Sequence, residues 1–491
     1  MDLLERVRKA LPSGLDVYLV GGATRDLLLG QVSHDLDFTL SGDVLAIARH
    51  VANTLGAAYY PLDEERDTAR VVVIETDGSR KVLDFAALRG PDLESDLRGR
   101  DFTINALAVA LGAPQKLIDP LGGAADLRVG ALRACSAAAF QDDPLRILRG
   151  VRLAAAFNFR ILPETSRLMR QAANQLPRIS PERLRDELFR LLDGPDPSSA
   201  LRVLDVLGAL SFVLPELSAL KGVAQSPPHI SDVWSHTLDV LQRLENVLSV
   251  LALQHDPDLA ANLILGLMSV QLGRYRQHIH NHLQTSLNPN RSLRALLLLG
   301  ALYHDIAKPL TRREEPGGRV RFFEHDLLGA EMVRKRAGAL HLSNNESERL
   351  KIVVHHHMRP FLLAQAGGLP TRRAIYRFFR DTGPAGVDVC LLSLADVLAT
   401  YGPTLPQDSW AGHLQVVRAL LEAWWEQPAE AVAPPALLDG RELMKTLKLG
   451  PGPQIGRLLD AIREAQATGE VRNRQEAFEL AQRLLRDQPQ G

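Results

Sequence analysis

The chain has 491 residues, 46% hydrophobic and 23% charged, values of a folded protein with roughly three or four domains, which excludes wholesale disorder. Lys+Arg (57) balances Asp+Glu (58), so any nucleic-acid surface must be local. Two cysteines, Cys135 and Cys390, exclude a disulfide framework or a cysteine zinc site. With a Met-Asp-Leu-Leu-Glu start that lacks a signal peptide, they place the protein in a reducing cytoplasm. The longest apolar run, near Ala295–Tyr303, is far short of the ~20 residues of a membrane span.

Short β-rich segments bounded by Gly, Asp or Ser predict strands at Asp16–Val20, Asp35–Leu40, Arg70–Glu75 and Lys81–Ala86. Val44, Ile47, Ala48, Val51 and Leu55 recur at helical spacing and predict a helix over Asp43–Leu55. From about Arg128 the strand signal stops, and Leu/Ala/Arg segments broken by Pro163, Pro177, Pro181 and the Gly194–Pro197 turn predict helices. Ser226–Pro228 opens a second helical block that runs to about Gln427. Pro428–Pro435 reads as a linker, and a helical tail follows, with a glycine-rich turn at Gly450–Gly456. Between Leu127 and Leu192 there are twelve Arg, no Lys and six acids, a local charge of +6 in a chain of net −1. Arginine without lysine favours bidentate contacts with phosphate or base edges.

The densest constellation is Leu19-Val-Gly21-Gly22-Ala-Thr-Arg25-Asp26, Leu29-Gly30 and His34-Asp35-Leu36-Asp37. A double glycine between strand and helix lets backbone N–H groups approach phosphate, yet neither the dinucleotide fingerprint nor a P-loop is present. Asp35 and Asp37 are two apart on a strand, so they leave one face, and such a pair repels unless a cation lies between them. Oxygen ligands suit Mg²⁺ or Mn²⁺ completed by substrate phosphates, and Asp84 on another strand offers a third carboxylate. Three carboxylates behind a phosphate-accepting turn suit two-metal phosphoryl or nucleotidyl transfer. Asp143 and Arg146, i and i+3, are expected on one side of a helix. There a carboxylate and a guanidinium match the amino/acceptor edge shared by cytosine and adenine and leave uracil or guanine unpaired.

These motifs resemble the class II tRNA nucleotidyltransferases and bacterial poly(A) polymerases. The resemblance continues through Asp96-Leu-Arg-Gly-Arg100-Asp101-Phe-Thr-Ile-Asn105, Leu117–Gly123, Asp142-Asp143-Pro-Leu-Arg146-Ile-Leu-Arg149 and Ile179–Arg183, over about the first 220 residues. It implies that Asp35, Asp37 and Asp84 are catalytic and hold the metal ions. It also implies nucleotide binding by Gly21, Gly22, Arg25, Arg100, Asp101, Asn105, Asp143, Arg146, Arg149 and Arg152. Gly99 stands where the family's motif has its first Arg, with Arg98 beside it.

Further on, His236, His304-Asp305 and Asp396 resemble the H…HD…D pattern of the HD phosphohydrolase superfamily, and His325 and one of His355–His357 (His357 is the choice) stand where a second metal would find ligands. Mixed imidazole and carboxylate ligands favour Mn, Fe, Ni or Zn ions and metal-assisted hydrolysis of phosphate esters.

The expected fold is multidomain and mostly α. A mixed α/β nucleotidyltransferase head (1–125) precedes a helical neck and body (126–222), an all-helical HD domain (223–427) and a linker with a helical tail (428–491). The expected activity is template-independent addition of CMP and/or AMP to tRNA 3′ ends, with tRNA, ATP and CTP as partners and neither DNA nor a membrane; oligomeric state is not legible. Alternatives are a poly(A) polymerase, a partial enzyme adding only CC or only A, or an HD phosphohydrolase with a nucleotide-sensing head. A non-catalytic RNA-binding protein is disfavoured, because buried acids without a cation cost stability.

Overall fold

The computed structural model describes residues 3–486 other than Ser13, Val32, His34, Pro114, Gln115 and Asn290. The chain packs as two compact units, Met1–Glu187 with Ser199–Val213, and Leu188–Ser198 with Leu214–Gly491.

The first unit is built on a seven-stranded sheet: β1 (Val17–Val20), β2 (Asp35–Leu40), β3 (Ala58–Asp63), β4 (Thr68–Ile74), β5 (Arg80–Ala87), β6 (Ala108–Ala110) and β7 (Leu117–Ile118). The strand order is β3-β4-β5-β2-β1-β6-β7, and β2 with β5 is the parallel pair. Alternation sorts the side chains. Leu19, Phe38, Leu40, Val71, Leu83 and Phe85 point to the core face, where helices Leu3–Ala10 and Val44–Leu55 bury Val7, Val44, Ala48 and Val51 against them. Phe38 stacks on Phe85 at 5.0 Å. The Val44–Leu55 helix starts where expected because Asp43 accepts from Ala46 N–H and the Asp67 carboxylate accepts from Val44 and Leu45 N–H. The opposite face carries Asp35, Asp37, Arg70 and Asp84, so one period-2 pattern builds both core and site.

After the head, helices Arg146–Phe157 and Pro163–Ala172 pack closely. A side chain at Gly150 would lie 2.5 Å from Phe102 and from Met169. The region is not purely helical: β8 (Ala131–Leu132) and β9 (Arg160–Ile161) form a short parallel pair.

In the second unit, helices Val233–Val250, Leu293–Tyr303 and Gly386–Tyr401 form a buried centre flanked by His325–Ala339 and Asn344–His356. Gly300 and Gly329 sit 3.0 and 3.1 Å (as virtual Cβ positions) from Val353 and Val354, and this closeness lets the helices cross. The stretch Arg372–Thr404 is long and apolar enough by composition to cross a membrane, but it is mostly buried within the unit. The all-helical expectation fails at one place. A hairpin of β10 (Arg312–Glu314) and β11 (Val320–Phe322) forms, because Gly317 and Gly318 take φ of 100° and 80° and turn the chain back. The segment expected as a linker packs instead: Pro428–Val432 makes one wide helical turn that buries Ala431 and Val432. In the tail, the helix after the glycine-rich turn begins at Pro453, ahead of Gly456, because proline suits a first helical turn. The helices Gly440–Leu447, Pro453–Thr468 and Arg474–Arg486 close a small core around Leu443, Leu458 and Ile462.

Candidate functional site

On the polar face of the head sheet, Asp37 is paired in register with Asp84, and Asp84 with Arg70, so the three lie in a row across β2, β5 and β4. Arg70 donates to both oxygens of Asp84 at 2.8 Å. Burial pushes the Asp37 carboxyl above its ordinary range; the charges of Asp84 and Asp35 add to this, and Arg100 and Arg149 oppose it. A divalent cation relieves that penalty, and an all-oxygen donor set fits Mg²⁺ or Mn²⁺. The third carboxylate behaves differently from the expected cage. With both oxygens on Arg70, Asp84 does not converge with Asp35 and Asp37. Among the described residues, groups of three donor atoms within 4.8 Å of one another occur only around Asp305.

Gly21 closes the site from β1. It takes φ 71°, and a Cβ there would lie 3.1 Å from Asp37 Oδ2 and 3.3 Å from Arg100 Nη1, so glycine keeps this approach open. Gly22 starts the following helix. His34 lies outside the described residues.

The other expected nucleotide residues are held in several separate ion-pair and hydrogen-bond groups. Buried Arg25 donates to Asn105 Oδ1 (2.7 Å) and to Asp26 (2.9 and 2.7 Å); Asn105 donates to Asp101 Oδ1 (3.0 Å), and Arg149 Nε sits 3.0 Å from Asp101 Oδ2. Arg25 also covers the ring of Phe157 at 4.5 Å, so its guanidinium is spent inside the protein. Arg100 donates to buried Asp96 (3.1 and 2.9 Å). Arg98, the neighbour of Gly99, turns away to Glu94. Arg152 is committed to buried Glu187 at 2.6 Å.

Asp143 and Arg146 correct the one-helix expectation. Asp143 precedes Pro144, which drives it out of the helical region (φ −147°, ψ 98°), and the helix starts only at Arg146. The two side chains take separate partners. Asp143 accepts from Arg183 at 2.7 Å, and Arg146 donates to the carbonyls of Gly99, Arg100 and Ala139 at 2.9–3.3 Å. Arg146 thereby ties the start of its helix to the Gly99-Arg100 loop. The pairing roles of Asp96, Arg70 and Arg183 escaped sequence reasoning, although Asp96 and Arg183 lie in the quoted motifs, because an ion-pair partner on a strand or helix face looks like any solvated charge.

The histidines, scattered over more than a hundred positions, meet in the second unit because most sit where helices end. His304 terminates Leu293–Tyr303, His325 opens its helix, His357 follows Asn344–His356, and Asp396 comes from the middle of Gly386–Tyr401. His304 and Asp305 converge because the helix stops at Tyr303 and the chain turns. Asp305 is shared by two sets: Oδ2 lies 3.7 Å from His236 Nε2 and 3.2 Å from His304 Nε2, while Oδ1 lies 3.4 Å from His325 Nε2 and 3.9 Å from His357 Nε2. Asp396 Oδ1 is 3.1 Å from His236 Nε2. His304, His325 and His357 donate Nδ1–H to the carbonyls of Ala301, Phe322 and Val354 (2.7–2.8 Å), which orients each ring with Nε2 toward the cluster. Nε2 of His236, His304 and His325 is buried without a hydrogen-bond partner. Burial, then the charges of His304 and His325, pulls His357 down to about 4, so it is neutral at physiological pH. Buried imidazole nitrogens beside two carboxylates, in two groups that share Asp305, are a donor set that would suit transition-metal ions.

Two further residues border this cluster. Lys308 is buried, with Nζ 2.6 Å from both Asp305 Oδ2 and Gln225 Oε1; its place three after Asp305 was the available signal. The His229 ring lies 5.2 Å from that of His236. His355 pairs instead with Asp326 at 3.5 Å, which leaves His357 as the member of its triplet at the cluster.

Four family models match the chain in order. They are the poly A polymerase head domain (residues 17–133), the RNA and SrmB-binding site of polymerase A (158–221), the HD domain (233–401) and tRNA nucleotidyltransferase domain 2 (434–481). The A-adding tRNA nucleotidyltransferase of Deinococcus radiodurans is 36% identical, with 96% of each chain covered. The CC-adding tRNA nucleotidyltransferase of Thermus thermophilus is 34% identical, over 94% of this chain and 92% of that one. Among solved structures, a CCA-adding enzyme complexed with ATP shares the fold, with a TM-score of 0.61, 21% identity, and 99% and 96% coverage.

Proposed function

The chain belongs to the tRNA nucleotidyltransferases, and from that premise we propose that it extends tRNA 3′ ends with CMP and/or AMP, from CTP and ATP, without a nucleic-acid template. The observation that carries this reading is the polar face of the head sheet, where Asp35 and Asp37 leave β2 beside the open Gly21 turn. In the reaction the terminal 3′ oxygen attacks the α-phosphorus and pyrophosphate leaves. Divalent ions held by Asp35 and Asp37 would supply activation of that hydroxyl and neutralisation of the leaving group. The chain's own part is positional. The Gly21-Gly22 turn admits the triphosphate, and Arg100 and Arg149 bring positive charge toward it. Asp84, held by Arg70, stands beside Asp37 in register. The linked Asp101, Asn105 and Arg149 face the ribose, and Asp143 and Arg146 read the base edge, with Arg183 orienting Asp143.

In the same reading residues 1–125 are the catalytic head, 126–222 the neck and body, 223–427 the HD domain and 428–491 the tail, all at work in the cytoplasm. RNA phosphates meet the neck, where Arg128, Arg160 and Arg170 are exposed and have no ion-pair partner among the described residues. The HD cluster hydrolyses phosphate esters, with His236, His304, His325, His357, Asp305 and Asp396 as ligands of Mn, Fe, Ni or Zn ions. The buried imidazole nitrogens around Asp305 support that role. A narrower specificity is also supported, since relatives covered over nearly their whole length are an A-adding and a CC-adding tRNA nucleotidyltransferase.

Incubation with tRNA lacking its 3′ end and each NTP singly, followed by sequencing, tests the proposal. Incorporation of C and A, or of one of them, with UTP and GTP unused, is the expected result. No incorporation of any nucleotide in the presence of Mg²⁺ overturns it.

A further inference from the structure

The HD cluster opens into a cavity of about 590 Å³, within the range of ligand pockets, roughly 300–1,000 Å³. Cationic groups sit at two depths. Lys308 is buried at the floor beside Asp305, and Arg319 and Arg321 are exposed residues of the β10–β11 hairpin at the rim. Arg321 lies on β11 and Arg319 directly precedes that strand, and both line the cavity. Arg321 shares its charge with Glu315 at 2.9 Å, while Arg319 has no ion-pair partner among the described residues. Between floor and rim lies an apolar wall that includes Met358, Phe361, Leu362 and Tyr401.

The hairpin is fixed over the cluster. Val320 N–H donates to Ser226 Oγ at 2.7 Å, His325 Nδ1–H donates to the Phe322 carbonyl at 2.8 Å, and Lys308 Nζ lies 5.3 Å from the Phe322 ring centre. The hairpin arm that carries the rim arginines is thus tied to a metal-ligand candidate and to the floor lysine.

A single phosphate ester needs only the floor. Two cationic positions separated by an apolar wall suit a nucleoside that carries two phosphates. We infer that the HD cavity selects a nucleotide with an inner phosphate beside Lys308 and an outer phosphate on Arg319 and Arg321, its nucleoside lying on the Phe361–Tyr401 wall. The 3′-terminal nucleotide of a phosphate-ended RNA has this pattern, and so does a free nucleoside 3′,5′-bisphosphate. The inference rests on the hydrolytic reading of the cluster. In that reaction the inner phosphorus–oxygen bond breaks, water supplies the new oxygen on phosphorus, and the ribose oxygen leaves with a proton.

The test compares adenosine 3′-monophosphate with adenosine 3′,5′-bisphosphate on the full chain. Equilibrium dialysis without added metal gives affinity, and hydrolysis with Ni²⁺ or Mn²⁺ gives kcat and KM. The bisphosphate is expected to bind roughly tenfold tighter, with the gain in KM rather than kcat. The Arg319→Ala/Arg321→Ala double variant, its melting temperature unchanged, erases that difference and leaves p-nitrophenyl phosphate hydrolysis as it was. Phe361→Ala weakens both nucleotides alike. A short RNA with a 3′ phosphate, run in parallel, separates the two sources: tighter binding than the free bisphosphate identifies the RNA end. Equal affinity for mono- and bisphosphate in the wild type, or a preference that survives in the double variant, overturns the inference. Absent hydrolysis of every ester with the binding preference intact sinks the hydrolytic reading and leaves the two-phosphate selection standing.

Discussion

The head and the HD domain each gather groups of a kind that suits divalent ions, and they do so by opposite means. On the head sheet, strand register alone sets Asp37 beside Asp84, and the donor set stays open, with one carboxylate tied to Arg70. In the HD domain, helix ends bring four imidazoles to one carboxylate, and backbone carbonyls lock the rings so that donor atoms already lie within 4.8 Å. An open oxygen site leaves room for substrate phosphates to complete it, as Mg²⁺ chemistry needs. A closed imidazole site is preorganised before any substrate arrives, as suits tightly held transition metals. Where a protein needs its substrate as a ligand, strands with sparse carboxylates suffice; where it needs resident ions, it invests in buried, carbonyl-oriented rings.

The contrast can be broken by mutation. Asp37→Ala is expected to cut nucleotide incorporation about a thousandfold or more while the transition-metal content of the protein is unchanged. Equal loss of both would mean that the sites are not independent. His304→Ala acts the other way: metal affinity measured by competition with a chelator falls about a hundredfold, and incorporation stays intact. Salt sharpens the distinction, because the proposed neck contacts are to phosphates. Affinity for tRNA is expected to fall about tenfold to a hundredfold between roughly 50 and 200 mM salt, while occupancy of the HD metals does not change. Arg146→Ala should relax the preference of ATP over GTP about tenfold, read as a ratio of incorporation rates, because it loosens the Gly99–Arg100 loop along with the base contact.

The smallest effect is on stability. Burial, and next the charge of Asp196, pushes the Glu245 carboxyl up to about 8, against Arg294 and the Ser198 N–H. The folded chain then keeps a proton that the unfolded chain, with its carboxyl near 4.5, has released. Stability therefore falls as pH rises from that value to about 8. Glu245→Gln should flatten this fall and raise the melting temperature at pH 8 by about 2–4 °C, with no change at pH 4; solvent screening at this partly exposed site keeps the effect near ~1 kcal/mol.

Sequence periodicity reached the head core well, since Asp35–Leu40 alternates cleanly and the strand occupies those residues. It missed β3 (Ala58–Asp63), whose Pro61 and mostly exposed side chains blur the pattern, and the short Leu3–Ala10 helix. The HD ligands were legible through resemblance and not through spacing, because helix ends distant in sequence leave no local period. The pairings of Arg70, Asp96 and Arg183 were invisible, even where the residue stood in a motif, since a pairing across strands or helices is decided by tertiary register. The hairpin carrying Arg319 and Arg321 was overlooked in a region dominated by helix formers, although Pro316-Gly317-Gly318 is a turn signal.

The row Arg70–Asp84–Asp37 depends on parity. One extra residue within β5 would rotate Asp84 through to the aliphatic side and bring a neighbouring core residue out in its place. The same insertion in the loop closed by Glu75 and Ser79 would leave every facing unchanged. Natural length variation in this hairpin should thus concentrate at its tip and spare its legs, so that the loop drifts while the strand count between the acids stays constant.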